Sequence, residues 1–361
     1  MQVCYGASKA PGTDVPEMEA LLEISTRLGR DPLLVQAGTG NTSVKVDGIM
    51  WIKASGKWLA HAKDEDILVP IDLARARECV EGDLNLSLAR ANPLENQLRP
   101  SIETAMHAMM PHRVVIHVHS VNTIAWAVRR DAAARLSERL AGFKWRWIPY
   151  VTSGVPLARE IVKALAAEPD AGVFILENHG LVIGAESCED ADALLSEVER
   201  RLAICPRPAP LPQYAWLAAT AEDSPWRLPD IPAVHVLGTD PAARQALSQG
   251  VLYPCQAIFL GPGLPVMRPP GSLPIALRDR DHPDAASASF LIVEGGGVLV
   301  RNDLTGTQAA MLAGLTHVVQ RLDPSTPLRC LTPCEVAGVL QHEASVYRAM
   351  VEKNESRCAA C

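Results

Sequence analysis

The sequence has no run of about 18 uninterrupted apolar residues, so no segment is built to cross a membrane as a helix. Its first ten residues, MQVCYGASKA, lack the apolar core of a signal peptide, which predicts a chain that is not secreted. No block of lysine or arginine occurs, and 34 Lys and Arg against 41 Asp and Glu leave a net charge of −7. An acidic chain without a basic stripe is a poor partner for nucleic acid or anionic membrane. A disulfide framework is missing too. The nine cysteines, at 4, 79, 188, 205, 255, 330, 334, 358 and 361, are odd in number and irregular in spacing. That pattern predicts reduced thiols and a cytoplasmic location. Cys358 and Cys361 form a CxxC at the C-terminal end, where a frayed tail is the better reading than a metal or redox pair.

What is present is an ordinary globular composition, 48% apolar and 21% charged over 361 residues. That length suits about two domains and buries a core without staples. Composition shifts once: seven prolines fall within the 27 residues from Pro206 to Pro232. Proline removes backbone donors and fixes φ, so this stretch holds neither a long helix nor a central strand. The expected organisation is an N-terminal domain over 1–205, a Pro-rich linker over 206–233 and a C-terminal α/β domain over 234–361. Trp216 and Trp226 predict that the linker packs down against its neighbours.

Helix signals frame 16–28, with Pro16 at the start and Gly29 past the end. Two β-rich runs, 42–46 and 49–53, flank Asp47-Gly48, a hairpin signature. Ser101 to Met110 reads as a helix with Ser101 as N-cap, and Val114 to His119 as a buried strand. Residues 173–176 and 181–183 read as strands around an Asn-His-Gly turn, followed by an amphipathic helix to Leu202. A similar strand–turn–strand–helix pattern recurs from Phe290 to Leu322, with Gly296 where the first copy has His179. It is either a degenerate second copy or a coincidence of one common unit.

The chemistry concentrates at His117-Val118-His119. Residues two apart on a strand share a face, so two imidazoles meet there. Catalytic zinc wants three protein ligands and an open position, and His179 at its turn can supply the third. Glu103 lies one short element upstream, where a carboxylate beside a metal can shuttle a proton to and from a substrate carbon. The loops at Gly40-Asn41 and Ala54-Ser55-Gly56-Lys57 follow β-type segments and can cradle an anion. His107, four residues after Glu103, reads as a supporting residue that shares a helix face with it. His61, His112, His235, His282, His317 and His342 carry no partner pattern.

Taken in order, GTGNTS (38–43), KASG (53–56), PSIE (100–103), HVHS (117–120) and NHG (178–180) closely resemble the class II aldolase/adducin family. The resemblance covers about residues 16–204. In wording, NTSVK, WIKASG and RPSIETAMH are nearest to the aldolase halves of two-part aldolase/dehydrogenase proteins, though no GxGxxG follows the linker here. It implies a three-layer αβα domain with a largely antiparallel central sheet, joined in this chain to a second, smaller α/β domain. It also implies zinc, or another divalent metal, on His117, His119 and His179, with Glu103 as acid/base. Asn41, Ser55, Gly56 and Ser101 would line the pocket for the substrate's anion. The implied activity is a lyase that cleaves a C–C bond of a small sugar-derived substrate by retro-aldol chemistry through an enediolate. Epimerase, dehydratase and decarboxylase activities on the same site are the alternatives, followed by a non-catalytic adducin-like module. A homo-oligomer is expected. Ile102 stands where the sugar-phosphate enzymes have a second serine, which weakens the case for a phosphorylated substrate. Lys53 or Lys57 could compensate. The family's tyrosine after HxH has no counterpart between Ser120 and Ala141, and Tyr150 is a candidate for the pocket wall.

Overall fold

The computed structural model describes residues 16–91, 98–263, 266–267 and 288–342; Cys4, Cys358 and Cys361 lie outside them. The N-terminal part runs α1 (Pro16–Gly29), β1 (Asn41–Val46), β2 (Ile49–Lys53), β3 (Leu68–Asp72), α2 (Leu73–Glu81), α3 (Thr104–Met109) and β4 (Val114–Val118). It continues with α4 (Val121–Ala127), α5 (Ala132–Arg139), β5 (Trp145–Ile148), α6 (Val155–Ala167), β6 (Val173–Leu176), β7 (Gly180–Ala185) and α7 (Cys188–Leu202). Its seven strands form one sheet in the order β3-β2-β1-β4-β7-β6-β5. The sheet is mixed, which corrects the expectation of a largely antiparallel one at its edge: β5 runs parallel to β6. The parallel pairing follows from α6, which carries the chain across one face before β6 begins.

Alternation along β4 sets the layers. Val114, Ile116 and Val118 join Leu21, Leu28, Leu195 and Val198 of α1 and α7 on one face. Val115 joins Met106, Leu157 and Ile161 of α3 and α6 on the other. The hairpin at 42–53 forms as its sequence predicts, because Asp47 (φ 48°) and Gly48 (φ 81°) supply the two left-handed positions of a two-residue turn. One helix start is corrected: α3 begins at Thr104, and Glu103, not Ser101, occupies the cap position. Ser101 instead accepts the Thr104 N–H and hydroxyl at its own carbonyl, while its Oγ accepts the Glu103 N–H at 3.3 Å at the edge of the cleft.

The proline-rich stretch carries an eight-residue helix, α8 (Tyr214–Ala221), and a two-residue edge strand, β8 (Trp226–Arg227), with Trp226 buried. Beyond it come α9 (Val236–Thr239), α10 (Pro241–Ser248), β9 (Val266–Met267), β10 (Phe290–Val293), β11 (Gly297–Arg301), α11 (Gly306–Val319) and α12 (Pro333–Gln341). The strands form a four-stranded sheet, β8-β11-β10-β9. Thus β10, β11 and α11 repeat the hairpin-and-helix unit of β6, β7 and α7. One hydrophobic cluster unites Val121, Ile124 and Val128 of the first part with Leu237, Phe290, Val298 and Leu315 of the second. The C-terminal segment therefore packs directly against α4, the helix that starts two residues after His119.

Candidate metal centre

His117 lies one residue before the end of β4, His119 just beyond it, and His179 sits in the turn between β6 and β7, the strand beside β4. Asn178 takes a left-handed conformation (φ 53°), which asparagine tolerates better than most residues. Gly180 is required there: a Cβ would lie 2.5 Å from the Val118 carbonyl oxygen. That close approach brings His179 against the β4 histidines. The three rings lie 4.9–5.0 Å apart, centroid to centroid, and their ligand atoms fall within 4.8 Å of one another. All three histidines and Glu103 are buried, each 7% exposed or less.

The nitrogens are turned inward. His117 donates its Nδ1 proton to the Leu181 carbonyl at 3.0 Å, leaving the Nε2 lone pair facing the cluster. His119 Nε2 lies 3.1 Å from His117 Nε2, while its Nδ1 meets Cys255 Sγ at 3.5 Å. Glu103 Oε1 stands 3.1 Å from His179 Nε2 and 3.4 Å from His117 Nε2. Ring nitrogens and a carboxylate oxygen this close share ring protons as hydrogen bonds when no ion is present, and converge on an ion when one is bound. A tetrahedral ion with bonds of about 2.0–2.1 Å needs donors about 3.3 Å apart, close to these separations. Burial pushes His117 down to about 4, so its imidazole is neutral and available as a ligand. Burial acts to raise the Glu103 pKa, but the imidazoles of His117, His179 and His119 outweigh it and hold the carboxyl well below the usual range. The residues therefore fit a divalent metal.

A relay of side chains fixes the carboxylate. The Ser43 hydroxyl meets His107 Nδ1 at 2.7 Å, and His107 Nε2 meets Asn41 Oδ1. The Asn41 amide donates to Glu103 Oε2 at 2.7 Å and to Ser101 Oγ at 3.2 Å. His107, pushed down to about 3 chiefly by burial, is neutral in this relay. The helical spacing of His107 and Glu103 suggested direct contact; Asn41 intervenes. Asn41 itself was expected to face the substrate's anion, yet each of its polar side-chain atoms is engaged by protein.

The cluster opens on a cleft, and Asn41, Ser55, Gly56, Ser101, Glu103, His119 and His179 all line it. Ser55 Oγ is buried without a hydrogen-bond partner, a donor available to a ligand. Lys53 is also at the wall, buried, with Nζ donating to the Gly38 and Lys57 carbonyls at 2.9 and 2.6 Å, so it ties the two small-residue loops together. Lys57 pairs with Glu65 at 2.7 Å. Tyr150 lines the cleft under the Arg329 guanidinium, its phenol pushed up to about 12 by burial. Sequence reasoning missed the far wall entirely: Pro254, Cys255, Ile258, Val339 and His342 come from the C-terminal segment. No local pattern marks them, and His342 had been set aside for want of a partner.

Comparison with known proteins places this geometry in context. Residues 19–205 match the model of the class II aldolase and adducin N-terminal domain. The chain is 31% identical over 191 residues to the uncharacterised oxidoreductase YuxG of Bacillus subtilis, covering 48% of this chain and 27% of that protein. It therefore spans little more than a quarter of that relative's length. Among solved structures, the N-terminal class II aldolase domain of a conserved Thermoplasma acidophilum protein is similar (24% identity, 56% of this chain and 97% of that one, TM-score 0.46). So is L-fuculose-1-phosphate aldolase from Thermus thermophilus (17% identity, 51% and 93%, TM-score 0.35). Among the described residues no helix is long and apolar enough to cross a membrane.

Proposed function

The chain belongs to the class II aldolase and adducin family through residues 19–205, and we propose that it is a zinc-dependent lyase cleaving a C–C bond of a small sugar-derived substrate. The observation that carries this reading is the convergence of three imidazole nitrogens and Glu103 Oε1 at one end of a polar cleft. His117, His119 and His179 would hold the ion, with Glu103 as a further donor when no substrate is bound. A divalent ion there supplies Lewis-acid polarisation of a substrate carbonyl and its neighbouring hydroxyl. Glu103 acts as the acid/base, its Oε2 anchored by Asn41 and its Oε1 aimed into the cluster, and transfers a proton at the substrate carbon that bears the cleaved bond. Ser55 Oγ and Ser101 Oγ offer hydroxyl donors to the substrate's anionic or hydroxylated end. Ile102 beside them adds an apolar surface where a second hydroxyl would favour phosphate.

We take the substrate as a polyhydroxylated ketose or sugar acid, with no strong preference for its phosphorylated form. The test is a screen of the zinc-loaded chain against matched sugar phosphates, free sugars and sugar acids, following aldehyde release. Release from none of them, or release undiminished by a chelator, refutes the reading. We retain 206–233 as the junction between a catalytic part and a C-terminal α/β part, and expect a homo-oligomer in the cytoplasm. Light scattering at micromolar concentration that returns one chain mass would refute the oligomer.

A further inference from the structure

The family match ends at residue 205, yet two of the three histidines are held by residues far beyond it. The Asn178 amide donates to the Leu252 carbonyl and to the Arg329 carbonyl, both at 2.7 Å. Both of its hydrogens are thus taken by the C-terminal segment, immediately before His179. The two acceptors are themselves tied together. Leu331 N–H donates to the Val251 carbonyl at 2.7 Å, and Arg329 N–H donates to the Val128 carbonyl at 2.7 Å, next to Ala127, whose carbonyl accepts from Asn178 N–H at 3.2 Å. Gln256 Oε1 accepts the Leu252 N–H at 2.8 Å and closes the turn from the other side. The same turn delivers Cys255, whose buried Sγ lies 3.5 Å from His119 Nδ1.

Orientation follows from these contacts. With an ion on His119 Nε2, Nδ1 would carry the ring proton and donate it to Cys255 Sγ, 3.5 Å away. A ring nitrogen held by an outer partner keeps the opposite lone pair aimed at a metal. Sγ sits on the Nδ1 side of the ring, so Cys255 supports the centre and does not compete for the ion. Asn178 acts on the backbone: its left-handed conformation is held by two carbonyls, and His179 inherits that placement.

We propose that the C-terminal segment is the support of the metal centre, with Asn178 and Cys255 as positioning residues that set how tightly the histidines hold their ion. The inference rests on the metal reading above but concerns residues outside the family domain. Asn178→Gly keeps the left-handed backbone accessible while removing both side-chain donors. Cys255→Ala removes the acceptor at His119, and Cys255→Ser restores one. Zinc affinity, measured by competition with a chromophoric chelator, should fall by roughly 10- to 100-fold in Asn178→Gly and Cys255→Ala and recover in Cys255→Ser. Hydrogen–deuterium exchange of the metal-free chain over 176–181 should quicken in Asn178→Gly. Quickened exchange with wild-type zinc affinity overturns the proposal, as does unchanged exchange. Should Asn178→Gly not fold, wild-type affinity in Cys255→Ala overturns it. A wild-type chain that takes up no zinc refutes the metal reading and the proposal built on it, whereas a wild-type chain that binds zinc beside variants of equal affinity refutes the proposal alone.

Discussion

Removing and restoring the metal is the perturbation that most directly tests the centre. Stripped of metal, the chain holds inward-facing imidazole nitrogens at 3.1 Å and a carboxylate oxygen equally close, a donor set that an ion can occupy. An ion that binds the folded state alone stabilises it by about 2.7 kcal/mol when its free concentration is 100 times Kd. Unfolding entropy of about 2.1 cal/mol/K per residue, over the roughly 300 described residues, amounts to ~0.6 kcal/mol/K. The melting temperature should therefore rise by roughly 4 °C on adding zinc, with about one ion per chain by elemental analysis. His119→Ala deletes one nitrogen of the triad and should abolish that rise at the same zinc concentration. Calorimetry with and without zinc reads both. A wild-type melting temperature indifferent to zinc, or a His119→Ala variant that binds as tightly, refutes the assignment.

Glu103→Gln keeps an acceptor for the Asn41 amide but removes the base, so kcat should fall about 10²- to 10⁴-fold while saturating zinc still loads the site. Solvent deuterium entering the substrate carbon at the wild-type rate would show the carboxylate misassigned. His107 and His117 are depressed to about 3 and about 4 against an unfolded value near 6.5. Between those limits the unfolded chain binds protons that the folded chain does not. Stability of the metal-free chain should therefore fall as pH drops below about 6.5, by about 1.4 kcal/mol per pH unit for each histidine. Equal urea midpoints at pH 7 and pH 5 would contradict this. Ile102→Ser adds a hydroxyl at the cleft wall, and a buried anion short of one donor loses about 1–3 kcal/mol. The ratio of phosphorylated to free substrate turnover should rise roughly ten- to hundred-fold, and an unmoved ratio places the anion elsewhere.

Much of the N-terminal part is legible because its signals are local. Asp47-Gly48 fixes a hairpin through two backbone angles, and the alternation of a strand puts His117 and His119 on one side. The helix start before Met106 was misread because Ser101 has the side chain of an N-cap but spends its carbonyl on Thr104 within a preceding turn. The role of Asn41 was equally hidden. Its partners, Ser101, Glu103 and His107, lie 60 to 66 positions away, and they meet it through the pairing of β1 with β4 and the bridge from Pro100 to Ala54. A small-residue loop reads as an anion cradle whether its amide faces substrate or carboxylate.

The C-terminal contribution was illegible for a deeper reason. Asn178 is held by the carbonyls of Leu252 and Arg329, and a backbone carbonyl looks the same whatever residue bears it. No pattern of side chains records that contact. Cys255 is one of nine scattered cysteines, and nothing in its neighbours distinguishes it from Cys79, buried beneath β2 and β3. The three clustered histidines are specified by residue type at fixed spacing, whereas their support is specified by chain path. A motif can therefore carry the donors of a metal centre without carrying what aims them. In this chain, the path that aims them runs through the shared core, where α11 packs on α4 and holds 252 and 329 against the turn before His179.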